Sequence, residues 1–134
     1  MRRALHLAGL VLGLSLAGRS AVAQSVDATW QSTPASVLKT VLRNVVAAQD
    51  KYRATHGVFS SSVEALRLRP GSDVKVQIVN ATESGWRAKA SHGARPGRSC
   101  VVFVGKLAAM EAPRTDGDHE MAGEERVPLC DRME

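Results

Sequence analysis

Aromatic side chains are scarce in this chain: two Trp, one Tyr and two Phe make up 4% of 134 residues. A core of large rings is excluded, so the interior has to be assembled from Val, Leu and Ala. In a domain this small such a core leaves little stability in reserve, and a covalent cross-link would help it. Cysteine is nearly as scarce, with two residues, too few and too widely separated for a metal site of their own. His56, His92 and His119 lack any metal-ligand spacing such as H-E-x-x-H. Nominal Ser, His and Asp groupings are no more than any chain with several serines and aspartates offers, and no catalytic motif emerges. Internal repeats and low-complexity tracts are also missing. What is present, 44% hydrophobic and 23% charged residues, is the composition of one ordinary globular domain.

The chain opens Met1-Arg2-Arg3, continues through an apolar stretch from Ala4 to Ala17, and reaches Ala21-Val22-Ala23-Gln24. Two arginines ahead of a short apolar run and small residues at Ala21 and Ala23 form a secretory signal peptide, with cleavage expected after Ala23. The alternative is an uncleaved anchor using Gly9 and Gly13 as a close-packing pair, against which Arg19 interrupts the run. Arg2-Arg3 lacks the polar and aromatic residues of a twin-arginine signal. The expected organisation is a signal peptide at 1–23, a polar lead-in at 24–32 with Trp30 its only large anchor, and a globular domain at 33–134.

Export to an oxidising compartment, periplasmic or extracellular, favours pairing of Cys100 with Cys130. Closing a loop of about 30 residues contributes roughly 3 to 4 kcal/mol in the chain-entropy picture.

Thr33 offers an N-cap oxygen and Pro34 the preset φ of a first helical residue, so a helix is expected from here, stopped by Gly57 within a stretch that runs on to Phe59. Leu38, Val41, Leu42, Val45, Gln49 and Tyr52 fall on one side of a 3.6-residue wheel; Lys39, Arg43, Asp50 and Lys51 fall elsewhere. Ser61-Ser62-Val63-Glu64 has the spacing of a capping box, with Ser61 as cap, and predicts a short helix to Leu66 or Leu68 ended by Pro70-Gly71. Val74, Val76 and Ile78 alternate with Lys75 and Gln77; Trp86, Ala88 and Ala90 alternate with Arg87, Lys89 and Ser91. This is the period of two half-buried strands forming a hairpin with a polar outer face. Cys100 to Val104 is continuously apolar and reads as the most buried strand. The stretch 106–126 has no period and reads as a long acidic loop; Val127 to Cys130 reads as a short final strand that Pro128 confines to an edge. The fold class is therefore α+β: one long N-terminal helix on a three- or four-stranded antiparallel sheet, one short extra helix and one disulfide.

Charge is segregated along the chain. Without Arg2, Arg3 and Arg19 there are 15 basic and 13 acidic residues, but Lys39 to Lys106 holds 12 basic and 4 acidic, and Glu111 to Glu134 holds 3 basic and 8 acidic. A basic body with an acidic tail fits charge pairing between the two. It also makes Arg67, Arg69, Lys75, Arg87, Lys89, Arg95 and Arg98 candidates for binding DNA or an acidic polysaccharide, with Lys75, Arg87 and Lys89 expected on the sheet's outer face. Asp116, Asp118 and Glu120 alternate as calcium ligands do, but the sixth position from Asp116 is Met121 where an EF-hand needs Gly. A looser calcium site is then the alternative to a solvated acidic loop. His56 reads as a helix C-terminal cation and His92 as a surface residue at a strand end. Asn80-Ala81-Thr82 matches a glycosylation acceptor, relevant only in a glycosylating host.

Taken together, a helix ending A-A-Q-D-K-Y with H-G-V-F after it, a short helix around Val63-Glu64-Ala65-Leu66, G-W-R-A-K-A-S-H, a P-G turn, C-V-V-F-V-G and a terminal V-P-L-C-D resemble the globular domain of bacterial type IV pilin-like proteins and pseudopilins. The resemblance covers about Val37 to Asp131. It implies a helix lying across an antiparallel sheet, in many members a disulfide fastening the C-terminal segment, and in some pseudopilins calcium in a C-terminal loop. Partners would be envelope proteins of a pilus or of a type II secretion system. The chain departs from the family at its start: no glycine cleavage site follows Met1-Arg2-Arg3-Ala4, and the apolar run has no assembly glutamate. The expectation is a non-enzymatic, exported interaction module without the membrane half of a pilin helix.

Overall fold

The computed structural model of the chain describes residues 32–106 and 111–133. The signal peptide, its cleavage point, Trp30 and nearly all of the lead-in lie outside the described residues. Helix α1 spans Pro34–His56. Its bounds follow from the residues at its ends: the Thr33 hydroxyl accepts the Ser36 N–H at 3.2 Å, and Gly57 turns out at φ 77° while its N–H reaches Arg53 O. Val58 and Phe59 thus fall beyond the helix. Leu38, Leu42, Val45, Val46 and Gln49 are buried, while Val41 and Tyr52 flank this stripe half-exposed.

Four strands, β1 (Val74–Val79), β2 (Gly85–His92), β3 (Ser99–Gly105) and β4 (Leu129–Cys130), form one antiparallel sheet in the order β1-β2-β3-β4. The register sets Val76, Ala90, Cys100 and Cys130 in one row, and Ile78, Ala88 and Val102 in the next. These rows face α1, which packs on β2 and β3. Small residues at Ala88 and Ala90, both buried, leave room for the Leu and Val side chains of the helix, so the shortage of rings is met by close approach. Trp86 is the exception, fully buried beside Phe59 with ring centroids 6.4 Å apart. At the far end of β2 and β3, Gly85 opposes Gly105; a Cβ on Gly105 would lie 2.0 Å from Ser84 O, so the two strands can meet there only as glycines.

Two expectations are corrected. The short extra helix does not form: Val63 to Arg67 makes consecutive turns, with Leu66 N–H on Val63 O and Arg67 N–H on Glu64 O, and Arg67 ends them at φ 55°. The cap is Ser62, not Ser61: its Oγ accepts the Ala65 N–H at 3.2 Å and donates to Glu64 Oε2 at 2.9 Å. The physical reason lies one residue earlier. Gln49, fully buried, donates to Ser60 O at 2.6 Å and accepts Ser60 N–H at 2.8 Å, so the backbone at Ser60 is pinned to α1 and Leu66 is drawn into the core before a helical nucleus can propagate. The final strand is also shorter than expected. Arg126 N–H takes Phe103 O at 2.9 Å, Pro128 has no N–H to give, and pairing is confined to Leu129 and Cys130 on the sheet edge.

Leucine at position 49 keeps the volume but leaves both Ser60 backbone groups buried without partners. Gln49→Leu is therefore expected to destabilise the domain by about 2 to 4 kcal/mol, measured as a shift of the urea midpoint at constant slope.

Candidate interaction surface

The outer face of the sheet and the C-terminal segment carry most of the polar geometry in the molecule. Cys100 and Cys130 are directly opposed in the register and joined by a disulfide, which ties β4 to β3. The next residue, Asp131, is 3% exposed and forms the centre of a hydrogen-bond cluster. Its Oδ2 accepts Ser99 N–H at 2.8 Å and Gly117 N–H at 2.9 Å; its Oδ1 accepts Asp118 N–H at 2.7 Å, and the Thr115 hydroxyl donates to the same carboxylate. Ser99 Oγ in turn accepts Asp116 N–H at 2.9 Å, and Asp131 N–H closes on Ser99 O at 3.0 Å. One buried acid thus joins the C-terminal segment, the acidic loop and the first residue of β3. Burial works to raise its pKa, but the Thr115 hydroxyl and the amides of Asp118, Ser99 and Gly117 outweigh it and hold the group down at about 2.

This cluster lays the described part of the acidic loop, 111–126, over the outer face of β2 and β3. The loop is more ordered than a structureless connection: Arg114 bridges Met121, Thr115 N–H donates to Glu120 O at 3.0 Å, and Thr115 and Ala122 are buried. Its cover explains why Val101 is fully buried on the face that alternation assigns to solvent.

The expected anion-binding residues do not form one surface. Lys75, Arg87 and Lys89 do share the outer face, as the alternation requires. However, Lys89 pairs with Asp116, and Arg87 Nη1 donates to Glu111 O at 2.7 Å. Arg98 pairs with Asp118 at 2.6 Å, and Arg95 Nε donates to Met133 O at 3.0 Å. Arg67 stands on the turn beside the end of α1, and Arg69 lines a small depression with Val41, Leu68 and Val76. The C-terminal segment thus engages four of the seven, Lys89 and Arg98 through carboxylates and Arg87 and Arg95 through backbone carbonyls.

The calcium candidates are directed in the same way. Asp116 turns to Lys89, and Asp118 accepts from Arg98 and from Arg132 N–H at 2.7 Å. The Arg132 amide and then the Arg98 side chain hold the Asp118 pKa below the ordinary carboxylate range. Glu120 is exposed, and its N–H donates to Thr115 Oγ1 at 3.1 Å. Among the described residues no group of three or more His, Cys, Asp or Glu is placed to hold a metal ion. The histidines have local roles: His56 Nδ1 lies 2.9 Å from Tyr52 O, and His92 Nδ1 accepts Ala94 N–H at 3.1 Å. Asn80, in the acceptor sequence, is exposed at φ 52°, while the Thr82 hydroxyl accepts from Ser84 N–H and Gly85 N–H. Another tie joins tail to helix, the pair Asp50–Arg126.

Sequence reasoning passed over Asp131, Thr115 and Ser99. Nothing local marks them, since an Asp after the last cysteine reads as one more surface acid; only the disulfide beside it hinted that it would be held close to β3. No protein-family model matches the chain, and no curated protein matches it either.

Asp131 also sets a pH dependence. Its folded pKa of about 2 lies below the unfolded value near 3.9, so its contribution is fully present above about pH 4 and is lost as pH falls through about 2. The amount is about 2 to 3 kcal/mol. Asp131→Asn, which turns one acceptor oxygen into a donor facing an N–H, should cost about 2 to 4 kcal/mol at neutral pH, and the gap between variant and wild type in urea melts should narrow between pH 4 and 2.

Proposed function

We propose that this chain is an exported, non-enzymatic interaction module of the type IV pilin or pseudopilin kind, which docks with envelope components of a pilus or secretion system. The observation that carries the reading is the architecture: a 23-residue helix across a four-stranded antiparallel sheet whose C-terminal segment is fastened to a central strand by a disulfide. This is the arrangement that the resemblance implies. The disulfide is suited to an oxidising compartment. No described helix is long and apolar enough to cross a membrane. Docking would use the loops and the sheet edge, and the disulfide and the Asp131 cluster would keep those loops in one shape.

The reading as a binder of DNA or acidic polysaccharide draws less support from the geometry. Of the three residues expected on the outer face, Arg87 and Lys89 already meet loop oxygens, as does Arg98, while Lys75 meets none. A polyanion would have to displace them.

Intact-mass analysis of the protein recovered from its host separates these ideas from a cytoplasmic role. The expected product begins at Gln24, carries the Cys100–Cys130 bond and crosslinks to envelope proteins. A full-length product with both thiols reduced, recovered from the cytoplasm, overturns the proposal. Breaking the bond by Cys100→Ala with Cys130→Ala is expected to cost roughly 3 to 4 kcal/mol of stability, measured by chemical denaturation without reductant.

A further inference from the structure

A concavity of about 780 Å³ lies between the last two turns of α1 and the turn at Val63 to Arg67. That volume is within the range of roughly 300 to 1,000 Å³ common for small-molecule sites. Its apolar lining comes from Ala48, Ala65 and Leu66. One wall is a ring stack: the rings of Tyr52 and His56, four residues apart on the helix, lie face to face with centroids 3.9 Å apart and planes 8° from parallel. His56 Nδ1 lies 2.9 Å from Tyr52 O and 2.8 Å from the Thr55 hydroxyl, so it is engaged within the helix and Nε2 is the ring nitrogen left to meet a ligand.

Two cations line the same groove, Lys51 and Arg67. Among the described residues neither side chain makes a hydrogen bond or an ion pair. The one acid there, Glu64, already accepts from the Ser62 hydroxyl. The groove therefore holds unpaired positive charge beside an apolar, ring-lined wall. Arg67 sits at φ 55°, a left-handed conformation that suits Gly or Asn far better than a long side chain. A strained backbone presenting an unpartnered guanidinium at the edge of this groove is the pattern in which strain accompanies a binding role.

We propose that this groove binds a small amphipathic anion, with an aromatic or aliphatic body against Tyr52, His56 and Leu66 and a carboxylate, sulfonate or phosphate group between Lys51 and Arg67. The partial negative charge of the helix C-terminus opposes an anion here, so the two side chains have to supply the attraction, and binding weakens as salt rises. This site is independent of the export reading: it requires only the folded domain.

The test uses the full chain and two fluorescent probes, 1-anilinonaphthalene-8-sulfonate and its uncharged analogue N-phenyl-1-naphthylamine. The sulfonate is expected to bind the folded protein saturably at one site. Arg67→Gly, which fits the left-handed backbone and should raise the melting temperature, and Lys51→Gln should each weaken it about fivefold, the scale of one exposed charge pair. Binding of the uncharged probe should be unchanged in both variants. Arg69→Gln removes an exposed cation outside the groove and should leave sulfonate binding as in wild type. Absence of saturable sulfonate binding, wild-type affinity in both groove variants, or an equal loss in Arg69→Gln would overturn the proposal.

Discussion

The Asp131 carboxylate is the constraint on which the C-terminal third of the molecule depends. A carboxylate with 3% exposure is tolerable only when its lone pairs are occupied, and here three backbone amides and one hydroxyl occupy them. The donors come from two places that share no regular ladder, the start of β3 and the acidic loop, where Thr115 also takes part in the loop's own pairing. The disulfide and the carboxylate are consecutive in sequence, so the covalent bond fixes where the acid sits and the acid fixes where the loop lies. With only two residues in β4, neither backbone pairing nor apolar burial would hold this segment alone.

The helix end of the domain uses a second buried polar contact in the same way. Gln49 lies on the apolar stripe of α1, where its amide satisfies both backbone groups of Ser60. That contact turns the chain back along the helix and prevents Ser61 from opening a second one. Two polar side chains, Gln49 and Asp131, thus set the path of the irregular segments, while Val, Leu and Ala fill the space between helix and sheet. With so few rings, specificity of packing rests on these contacts more than on shape.

The regular elements were legible because each obeys a local rule. Thr33, Pro34 and Gly57 bound the helix by cap chemistry, alternation identified β1 and β2, and the unbroken apolar run at Cys100 identified the strand buried on both faces. Pairing of Cys100 with Cys130 followed from compartment and count. The second helix was misread because the capping-box spacing is satisfied by Ser61 and Glu64 on paper, whereas a contact eleven residues away decides the conformation at Ser60. The order within 111–126 was invisible for the same reason: its partners, Ser99 and Asp131, come from either side in sequence, and no period within the loop encodes them.

The charge pattern shows most clearly how sequence and structure differ in what they say about binding. Read along the chain, a basic body and an acidic tail suggest a surface for a polyanion. In three dimensions Lys89, Arg98 and Arg126 meet Asp116, Asp118 and Asp50, and the sheet face that should have carried the positive field is largely neutralised from within. Exposed pairs of this kind contribute little stability each. Their effect is instead to remove those cations from the available surface. Lys51 and Arg67 are among the described cations left without such a partner, as are Lys39, Arg43, Arg69 and Lys75, and these two line a groove where an apolar wall and a ring stack are also on hand. The same folding that cancels the obvious basic face therefore isolates a smaller and chemically more defined site at the other end of the helix.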